Sequence, residues 1–299
     1  DRGKRSIVLD LKDTGDLATA RALIDTADAL IEGFRPGVME RLGLGPEVFA
    51  DSNPTLVYGR MTGWGQTGPR AQTAGHDLNY IATSGALWYA GAPGGAPVTP
   101  PTLVGDVGGG ALYLVAGILA GILNAARIGK GTVVDAAIVD GSAHMMALLM
   151  SMAPSGNLVT ERGQSLLDGP HWCRSYACAD GEWLSVQCLE PKFYAEFLRL
   201  LGLSEDPGLA TRYDRAQWPA QTARLAGIFA QHPVTHWAAL FEGSDACVAP
   251  VLPPEAAARE AHMAARGTWT RAAGVLQPAQ APRFGDSPRE PAAPTERGA

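Results

Sequence analysis

Residues 55–61, Thr-Leu-Val-Tyr-Gly-Arg-Met, are the stretch that decides the fold. Their β-branched, aromatic and apolar side chains favour a β-strand, and the Gly- and Pro-containing run 62–69 that follows predicts a loop. Residues 132–138, Thr-Val-Val-Asp-Ala-Ala-Ile, predict a second strand of the same kind. Two apolar helices are predicted between these strands, one after Gly75 and one after Asp106, so strands and helices alternate here.

The same alternation extends to both sides of these segments. Upstream, the pattern predicts a strand at 6–11, a helix that begins at Thr14 and a strand at 29–32. Downstream, it predicts an apolar, Met-rich helix at 140–152. Strands that alternate with helices are typical of a parallel sheet with helices on both faces. The sequence therefore predicts an α/β fold, with a doubly wound, Rossmann-like large domain over residues 1–153.

The pattern changes after residue 153. Residues 154–176 have an irregular composition and predict a linker. Further strands and helices then predict a smaller α+β domain over residues 177–262. One of its strands, 247–252, is expected at a sheet edge because Pro250 cannot donate to a central ladder. We expect the remaining residues, 263–299, to return toward the large domain.

Composition narrows the functional classes. With 46% hydrophobic and 18% charged residues, the chain has the make-up of a soluble globular protein. A net charge of -6 argues against a nucleic-acid partner, which would select a basic face. The apolar run 111–123 is too short to span a bilayer, so no membrane association is expected. Four cysteines in 299 residues and no signal peptide predict a reducing, cytoplasmic location.

A histidine and a carboxylate stand side by side at the start of the helix that follows Gly75. His76 and Asp77 precede an amphipathic run. The helix dipole disfavours imidazolium at a helix N-terminus, so His76 would be a neutral base near pH 7. The neighbouring backbone N–H groups would face any oxyanion beside it. The alternative for a single histidine of this kind is a purely structural role.

A second carboxylate, Asp106, precedes another helix and is surrounded by glycines at 105, 108, 109 and 110. Asp106 could be only an N-cap residue, but the glycines reduce helix propensity and suggest that something approaches the backbone closely. Glu190 stands at the start of a further helix, before Pro191. On the residues alone, Glu190 is interpreted as a helix-start carboxylate favoured by the dipole.

Other patterns give no support for metal or nicotinamide chemistry. No glycine-rich run matches the dinucleotide-binding pattern G-x-G-x-x-G after a strand. His232 and His236 have the spacing of a zinc-binding helix, but Pro233 lies between them and no glutamate follows His232. Another possible ligand set lacks a second pair at suitable spacing: His171, Cys173 and Cys178. We therefore predict no metal site.

The chain resembles the family III CoA-transferases (CaiB/BaiF) in segments that follow one another from one end to the other. These segments are Arg2–Lys12, Phe34–Gly45, Asn53–Pro54, Gly63–Gly68, Gly75–Tyr80, Gly105–Asp106, Gly129–Ala136, Leu189–Tyr194 and Asp245–Leu252. The segment Gly75-His-Asp-Leu-Asn-Tyr80 resembles in particular the branch that racemises 2-methylacyl-CoA thioesters at C2. The resemblance implies an isomerase of lipid and fatty-acid metabolism that works as an interlocked homodimer.

The resemblance also implies roles for single residues. His76 would be the base on one face of the substrate α-carbon, and Asp106 the acid on the other face. The backbone N–H of Asp77 would donate to the thioester oxygen. Glu190 would be a partner of His76, supplied by the small domain of the other subunit, which replaces its interpretation as a simple helix-start carboxylate. No cofactor is implied, because coenzyme A is part of the substrate.

The same resemblance implies that the basic segment 2–12 binds coenzyme A, because CoA carries phosphates that Arg and Lys bind. The implied CoA-binding and substrate-binding residues are Arg2, Leu9, Asp10, Leu11, Lys12, Arg35, Arg41, Gly75, Asn79 and Tyr80. Family members begin with a strand and a helix that would precede Asp1 here, so an N-terminal part of the large domain is expected to be missing. The alternative activity is CoA transfer with Asp106 as the nucleophile, a reaction that does not need His76.

Overall fold

The computed structural model describes residues 3–285, which fall into two compact units. The first unit comprises residues 10–170, and the second comprises residues 3–9 and 171–285. This division differs from the predicted one. Residues 3–9 cluster with the second unit and not with the large domain predicted over 1–153, and the predicted linker 154–176 is divided between Pro170 and His171.

Long-range hydrogen bonds explain why 154–170 belongs to the first unit. Trp88 Nε1 donates to the carbonyl oxygen of Thr160 at 2.7 Å, and the Tyr89 hydroxyl donates to that of Val159 at 3.0 Å. The Arg162 guanidinium donates to three carbonyl oxygens between residues 90 and 95. The composition of residues 154–170 correctly predicts an irregular segment. It cannot show that side chains far away in the sequence form hydrogen bonds to this segment.

The first unit is an α/β unit whose elements follow in the order α1 (Thr14–Ile24), β1 (Ala29–Glu32), α2 (Val38–Arg41), β2 (Val57–Thr62), α3 (Asp77–Ser84), α4 (Leu112–Ile128), β3 (Thr132–Ala137), α5 (Ile138–Met145) and α6 (Ala147–Ser151). A π-helical segment, Leu103–Ala111, leads directly into α4. The three strands are parallel in the order β1-β2-β3. The predicted strand at 6–11 is wrong, because these residues pair with no strand in the described range.

Apolar side chains of β2 and the residue before it alternate between two hydrophobic clusters. Leu56 and Tyr58 pack with Ile24 of α1 on one face, whereas Val57 packs with Leu114 and Ile118 of α4 on the other. Helices therefore cover both faces of the parallel sheet, and the prediction of a doubly wound α/β unit is confirmed. Gly59 permits the close approach of α4, because a Cβ atom there would lie 2.8 Å from Ile118 Cδ1.

The helical stretch Leu103–Ile128 is long and apolar enough, by length and composition alone, to cross a membrane. A core helix meets the same criterion, and α4 buries Leu114, Ile118, Gly121 and Ala125 toward the sheet. Its opposite face leaves apolar side chains exposed, namely those of Leu112, Val115, Leu119 and Leu123. The sequence prediction of a buried helix at 111–123 therefore holds for one face of α4 only.

The second unit is built around an antiparallel sheet of β4 (Cys173–Ala177), β5 (Trp183–Gln187) and β6 (Val248–Pro250), in the order β4-β5-β6. Its helices are α7 (Pro191–Leu200), α8 (Trp218–Phe229), α9 (Val234–Phe241), α10 (Pro254–Ala257) and α11 (Ala261–Arg266), and a hairpin follows with β7 (Trp269–Ala272) and β8 (Val275–Pro278). The α+β class is confirmed, and β6 lies at the sheet edge as Pro250 predicts.

Candidate active site

The start of helix α3 presents a histidine and an unpaired backbone donor. His76 is the N-cap residue, with φ −141° and ψ 176°, and Asn79 Oδ1 accepts a hydrogen bond of 3.0 Å from its backbone N–H. Asp77 is the first residue of the helix, so its own backbone N–H has no acceptor within the helix. An exposed imidazole and an N–H donor without an acceptor inside the helix therefore lie next to each other at the positive end of the helix dipole.

The Asp77 side chain joins α3 to the segment that carries Asp106. Its Oδ1 atom accepts hydrogen bonds from the backbone N–H groups of Gly105, at 2.9 Å, and Asp106, at 3.0 Å. Asp77 is buried, and a Cβ atom on Gly105 would lie only 2.4 Å from this oxygen. Position 105 therefore requires glycine, and the carboxylate of Asp77 fixes the backbone at Asp106.

Asp106 lies in the π-helical segment Leu103–Ala111. The π-helix is rare in proteins, and where it occurs it is often at a functional site. Burial and the nearby Asp77 carboxylate raise the pKa of Asp106, while His76 lowers it. The Asp106 carboxyl is therefore within electrostatic range of both residues at the start of α3. Because its pKa is raised, Asp106 holds a proton at higher pH than an ordinary carboxyl group and can serve as an acid.

A cavity of about 410 Å³ opens beside the start of α3. Four of the predicted site residues line this cavity: Arg35, Gly75, His76 and Tyr80. The structure thus brings an arginine and the candidate base to one cavity of the first unit. Asp77 and Asp106 do not line this cavity, but Asp77 follows His76 in the chain and its Oδ1 binds the backbone N–H of Asp106.

Tyr80 is buried and fixes the backbone before His76. Its hydroxyl donates to the carbonyl oxygen of Gly75, and its ring makes an edge-to-face contact with Trp64 at a centroid distance of 4.9 Å. Burial, and then the charge of Asp106, raise the pKa of Tyr80. A Cβ atom on Gly63 would lie 1.9 Å from Tyr80 Cζ, so the neighbouring loop must have glycine there. Tyr80 therefore holds the backbone of Gly75, the residue before His76, in place.

Arg60 is a site residue that the sequence reasoning missed. It is buried at the carboxyl end of β2, where it donates to Glu40 and, at 2.8 Å, to Gln66 Oε1, and its Nε lies 3.9 Å from Glu32 Oε1. Glu32 accepts from the N–H of Phe34 at 2.7 Å, and burial raises its pKa. Arg60 thus ties together the loops that line the cavity. A charged residue inside an apolar strand was the available signal.

The predicted CoA-binding residues near the start of the chain are less closely grouped. Arg2 lies outside the described residues, and Leu9 belongs to the second unit. Asp10, Leu11 and Lys12 form a turn before α1, in which Asp10 Oδ1 accepts from Lys12 N at 3.0 Å and Leu11 packs on the hydrophobic cluster of Tyr58. These three residues and Arg41, which is exposed at the end of α2, do not line the cavity beside His76.

Glu190 is the N-cap residue of α7 in the second unit, but its side chain makes no capping hydrogen bond. Its carboxylate is exposed, and Pro191 follows at the first helical position. The prediction of a carboxylate at a helix start, followed by Pro191, is therefore confirmed, although the side chain does not cap the helix. The backbone before it is held by Arg212, which donates to the carbonyl oxygens of Cys188 and Leu189.

Comparison with known proteins identifies the relatives of this chain. The family model of CoA-transferase family III matches residues 1–296. The alpha-methylacyl-CoA racemase of Mus musculus is 40% identical over 98% of the chain and 77% of its own length, and that of Homo sapiens is 39% identical over 97% and 76%. The acetyl-CoA:oxalate CoA-transferase of Acetobacter aceti is 33% identical over 100% and 79%.

Solved structures agree with these sequence matches. The crystal structure of a CaiB/BaiF family protein from Brucella suis superposes with a TM-score of 0.81 and 27% identity, covering 99% of this chain and 79% of that one. The structure of Rv3272 from Mycobacterium tuberculosis gives a TM-score of 0.78 at 26% identity, covering 100% and 80%. Family model, sequence relatives and fold coincide over nearly the whole chain, and we conclude that this protein belongs to CoA-transferase family III.

Proposed function

We propose that this protein is an acyl-CoA racemase that interconverts the R and S forms of 2-methylacyl-CoA thioesters at C2. The observation that carries the proposal is that the Asp77 carboxylate, next to His76 at the start of α3, accepts the backbone N–H groups of Gly105 and Asp106 and so joins the two segments. The two mammalian racemases that match at 40% and 39% identity support the same activity.

The proposed reaction uses two proton-transfer groups on opposite faces of a planar intermediate. In one direction His76 takes the C2 proton, the electron pair moves into the thioester carbonyl to form an enolate, and protonated Asp106 returns a proton to the opposite face. In the other direction the roles exchange. The backbone N–H of Asp77 holds the enolate oxygen, a type of contact that contributes roughly 10²–10³ in kcat. No electron leaves the substrate, so the cycle requires no cofactor.

The remaining predicted residues serve binding in this proposal. Arg35 lines the cavity beside His76 and is available for a CoA phosphate. Asn79 and Tyr80 act on the backbone of His76 and Gly75 and so hold the base in place. We further propose that the enzyme is a cytoplasmic homodimer, in which Glu190 of one subunit pairs with His76 of the other.

The test is proton exchange at C2 of a single enantiomer. The protein is incubated in D₂O with one enantiomer of a 2-methylacyl-CoA, and C2 is followed by proton NMR together with optical purity. We expect deuterium uptake with loss of optical purity. Because general acid–base placement is worth about 10²–10⁴, His76→Ala and Asp106→Ala should each lower the rate at least 10²-fold.

CoA transfer is the competing activity. It is tested as well because the chain is 33% identical to the acetyl-CoA:oxalate CoA-transferase of Acetobacter aceti. In that reaction the Asp106 carboxylate attacks the thioester carbonyl, expels CoA thiolate and forms a mixed anhydride. A second incubation therefore adds a free carboxylic acid. CoA transfer to that acid without deuterium uptake, retained in His76→Ala and lost in Asp106→Ala, would contradict the racemase proposal.

A further inference from the structure

Arg212 of the second unit is a buried cation without a carboxylate partner in the described part of the chain. It is 7% exposed, and its Nε and Nη1 atoms have no hydrogen-bond partner. The guanidinium lies 4.3 Å from the ring centroid of Trp172 and 4.4 Å from that of Tyr194. Burying a charged group costs free energy unless the group is paired or hydrogen-bonded. This arrangement therefore calls for an account of what the guanidinium does.

The remaining nitrogen, Nη2, donates to two successive carbonyl oxygens, those of Cys188 and Leu189, the latter at 2.8 Å. These residues form the turn between β5 and α7, and Glu190 is the next residue. Hydrogen bonds from a charged donor are roughly twice as strong as neutral ones. The guanidinium thus holds the chain immediately before Glu190 more firmly than a backbone turn alone would.

Arg212 also contacts the chain after Glu190. Tyr194, one helical turn further along α7, forms one wall of the aromatic cage, and its N–H donates to the Glu190 carbonyl at 3.0 Å. Arg212 is itself fixed, because Trp218 Nε1 donates to its carbonyl oxygen at 2.9 Å. Glu190 is therefore held on both sides by one side chain whose own backbone is anchored in the core of the unit.

The Glu190 carboxylate takes no part in this network. It does not cap α7, and it forms no ion pair with Arg212 or any other residue in the range 3–285. We propose that Arg212 is a positioning residue for Glu190: it fixes the backbone on both sides and leaves the carboxylate free to orient a histidine. This inference rests on the proposed function, in which Glu190 pairs with His76 of a second subunit.

The test is a double-mutant cycle between Arg212→Gln and Glu190→Gln, with deuterium uptake at C2 as the assay. Because misplacement of a catalytic group by about 1 Å can cost up to about 10²-fold, we expect Arg212→Gln to lower kcat about 10-fold or more, with KM for the thioester changed by less than about 2-fold. In the Glu190→Gln background the same substitution should change kcat by less than about 2-fold, because there is no carboxylate left to position.

Arg199→Gln is the matched control. Arg199 lies on α7 as well, but it is exposed and pairs only with Glu196 at the surface, so kcat should not change. If Arg212→Gln does not fold, the cycle is run with Arg212→Lys, which keeps the charge between the two rings but has no forked donor. A smaller loss of kcat is expected, and it should again disappear in the Glu190→Gln background.

Two results would overturn the inference. One is a loss of kcat of the same size in both backgrounds, which would make Arg212 a purely structural residue. The other is an active enzyme in which the Arg212 variants behave like Arg199→Gln. Wild-type protein that exchanges no deuterium at all would instead contradict the proposed function, so the two failures are distinguishable.

Discussion

The Asp77 carboxylate gives the sharpest prediction about the site, because one oxygen accepts two backbone N–H groups. Asp77 Oδ1 binds the N–H groups of Gly105 and Asp106 at 2.9 and 3.0 Å, and the side chain is buried. Hydrogen bonds to a charged group contribute about 1.5–3 kcal/mol each, so Asp77→Ala should lower the free energy of unfolding by about 3–6 kcal/mol. Asp77→Asn keeps an acceptor oxygen and loses only the charge, so about half of that loss is expected.

The same pair of variants should separate two effects on catalysis. The Asp77 charge is the second cause, after burial, that raises the pKa of Asp106, so Asp77→Asn should lower this pKa. Exchange that needs protonated Asp106 should then fall off at lower pH than in the wild type. The backbone N–H of residue 77 is present in both variants, so the donation to the thioester oxygen that we propose is not removed.

Urea unfolding and the pH profile of deuterium uptake measure these two effects. Asp168→Asn is the control, because Asp168 also accepts two backbone N–H groups, those of Gly163 and Ser165 at 2.8 Å each, in a loop of the same unit. It should lower stability as well, because each Asp168 oxygen accepts one N–H group and Asn keeps only one acceptor oxygen, but it should not move the pH profile. The reasoning is refuted if Asp77→Asn leaves the profile where it is, or if it destabilises the protein as much as Asp77→Ala.

Three further predictions concern the supports of the two units. Gly63→Ala places a Cβ atom 1.9 Å from Tyr80 Cζ, so circular dichroism melts should show a free energy of unfolding lower by about 1–3 kcal/mol. Gly227→Ala in α8 is the control, because a Cβ atom there has no neighbour within 4 Å, and it should be neutral or stabilise the protein by up to about 1 kcal/mol. Arg60→Met strands the buried Glu32 carboxylate and should cost about 3–5 kcal/mol in urea unfolding; a loss below about 1 kcal/mol would contradict the role of Arg60. Burial, and then Arg212, lower the pKa of His171 from 6.5 to about 4. As the pH falls through this range, His171 therefore becomes protonated in the unfolded chain before it does in the folded protein. The free energy of unfolding should fall by about 3 kcal/mol as the pH drops from 6.5 to 4. His171→Gln should remove that part of the acid sensitivity, and equal pH slopes for the two proteins would show that His171 does not titrate in this way.

The sequence predicted those parts of the fold that depend on local pattern. The strands at 55–61 and 132–138 were recognisable because β-branched and apolar residues follow one another, and both are strands of one parallel sheet. The segment 6–11 has a similar apolar composition but forms no strand among the described residues, because pairing needs a neighbour that local pattern cannot supply. The domain boundary was misplaced for a related reason, since side chains from residues 88 and 89 bind segment 159–160.

The candidate site divides in the same way. His76 and Asp106 could be named from the sequence because each is preceded by glycine and followed by an apolar run, and the family resemblance gave them roles. The expectation that Asp106 precedes its helix was wrong, because it lies inside the π-helical segment Leu103–Ala111, whose N-cap is Thr102. Arg60 and Arg212 were not named, although a charged residue inside an apolar strand marks Arg60. Their importance lies in what they touch, loops at the ends of β1 and β2 for Arg60 and the turn before Glu190 for Arg212, and neither contact has a sequence signature.

The arrangement around Asp106 explains how its carboxyl group could act as the acid of the proposed reaction. A carboxyl group has a raised pKa if its charged form is penalised, and here burial and the Asp77 carboxylate both act in that direction. The same Asp77 oxygen that repels a second charge also binds the backbone of Asp106, so the main chain of Asp106 is held beside the charge that raises the pKa of its side chain. One buried carboxylate therefore sets both the position and the protonation of its neighbour, and this coupling is the reason to test Asp77 before any residue that contacts substrate.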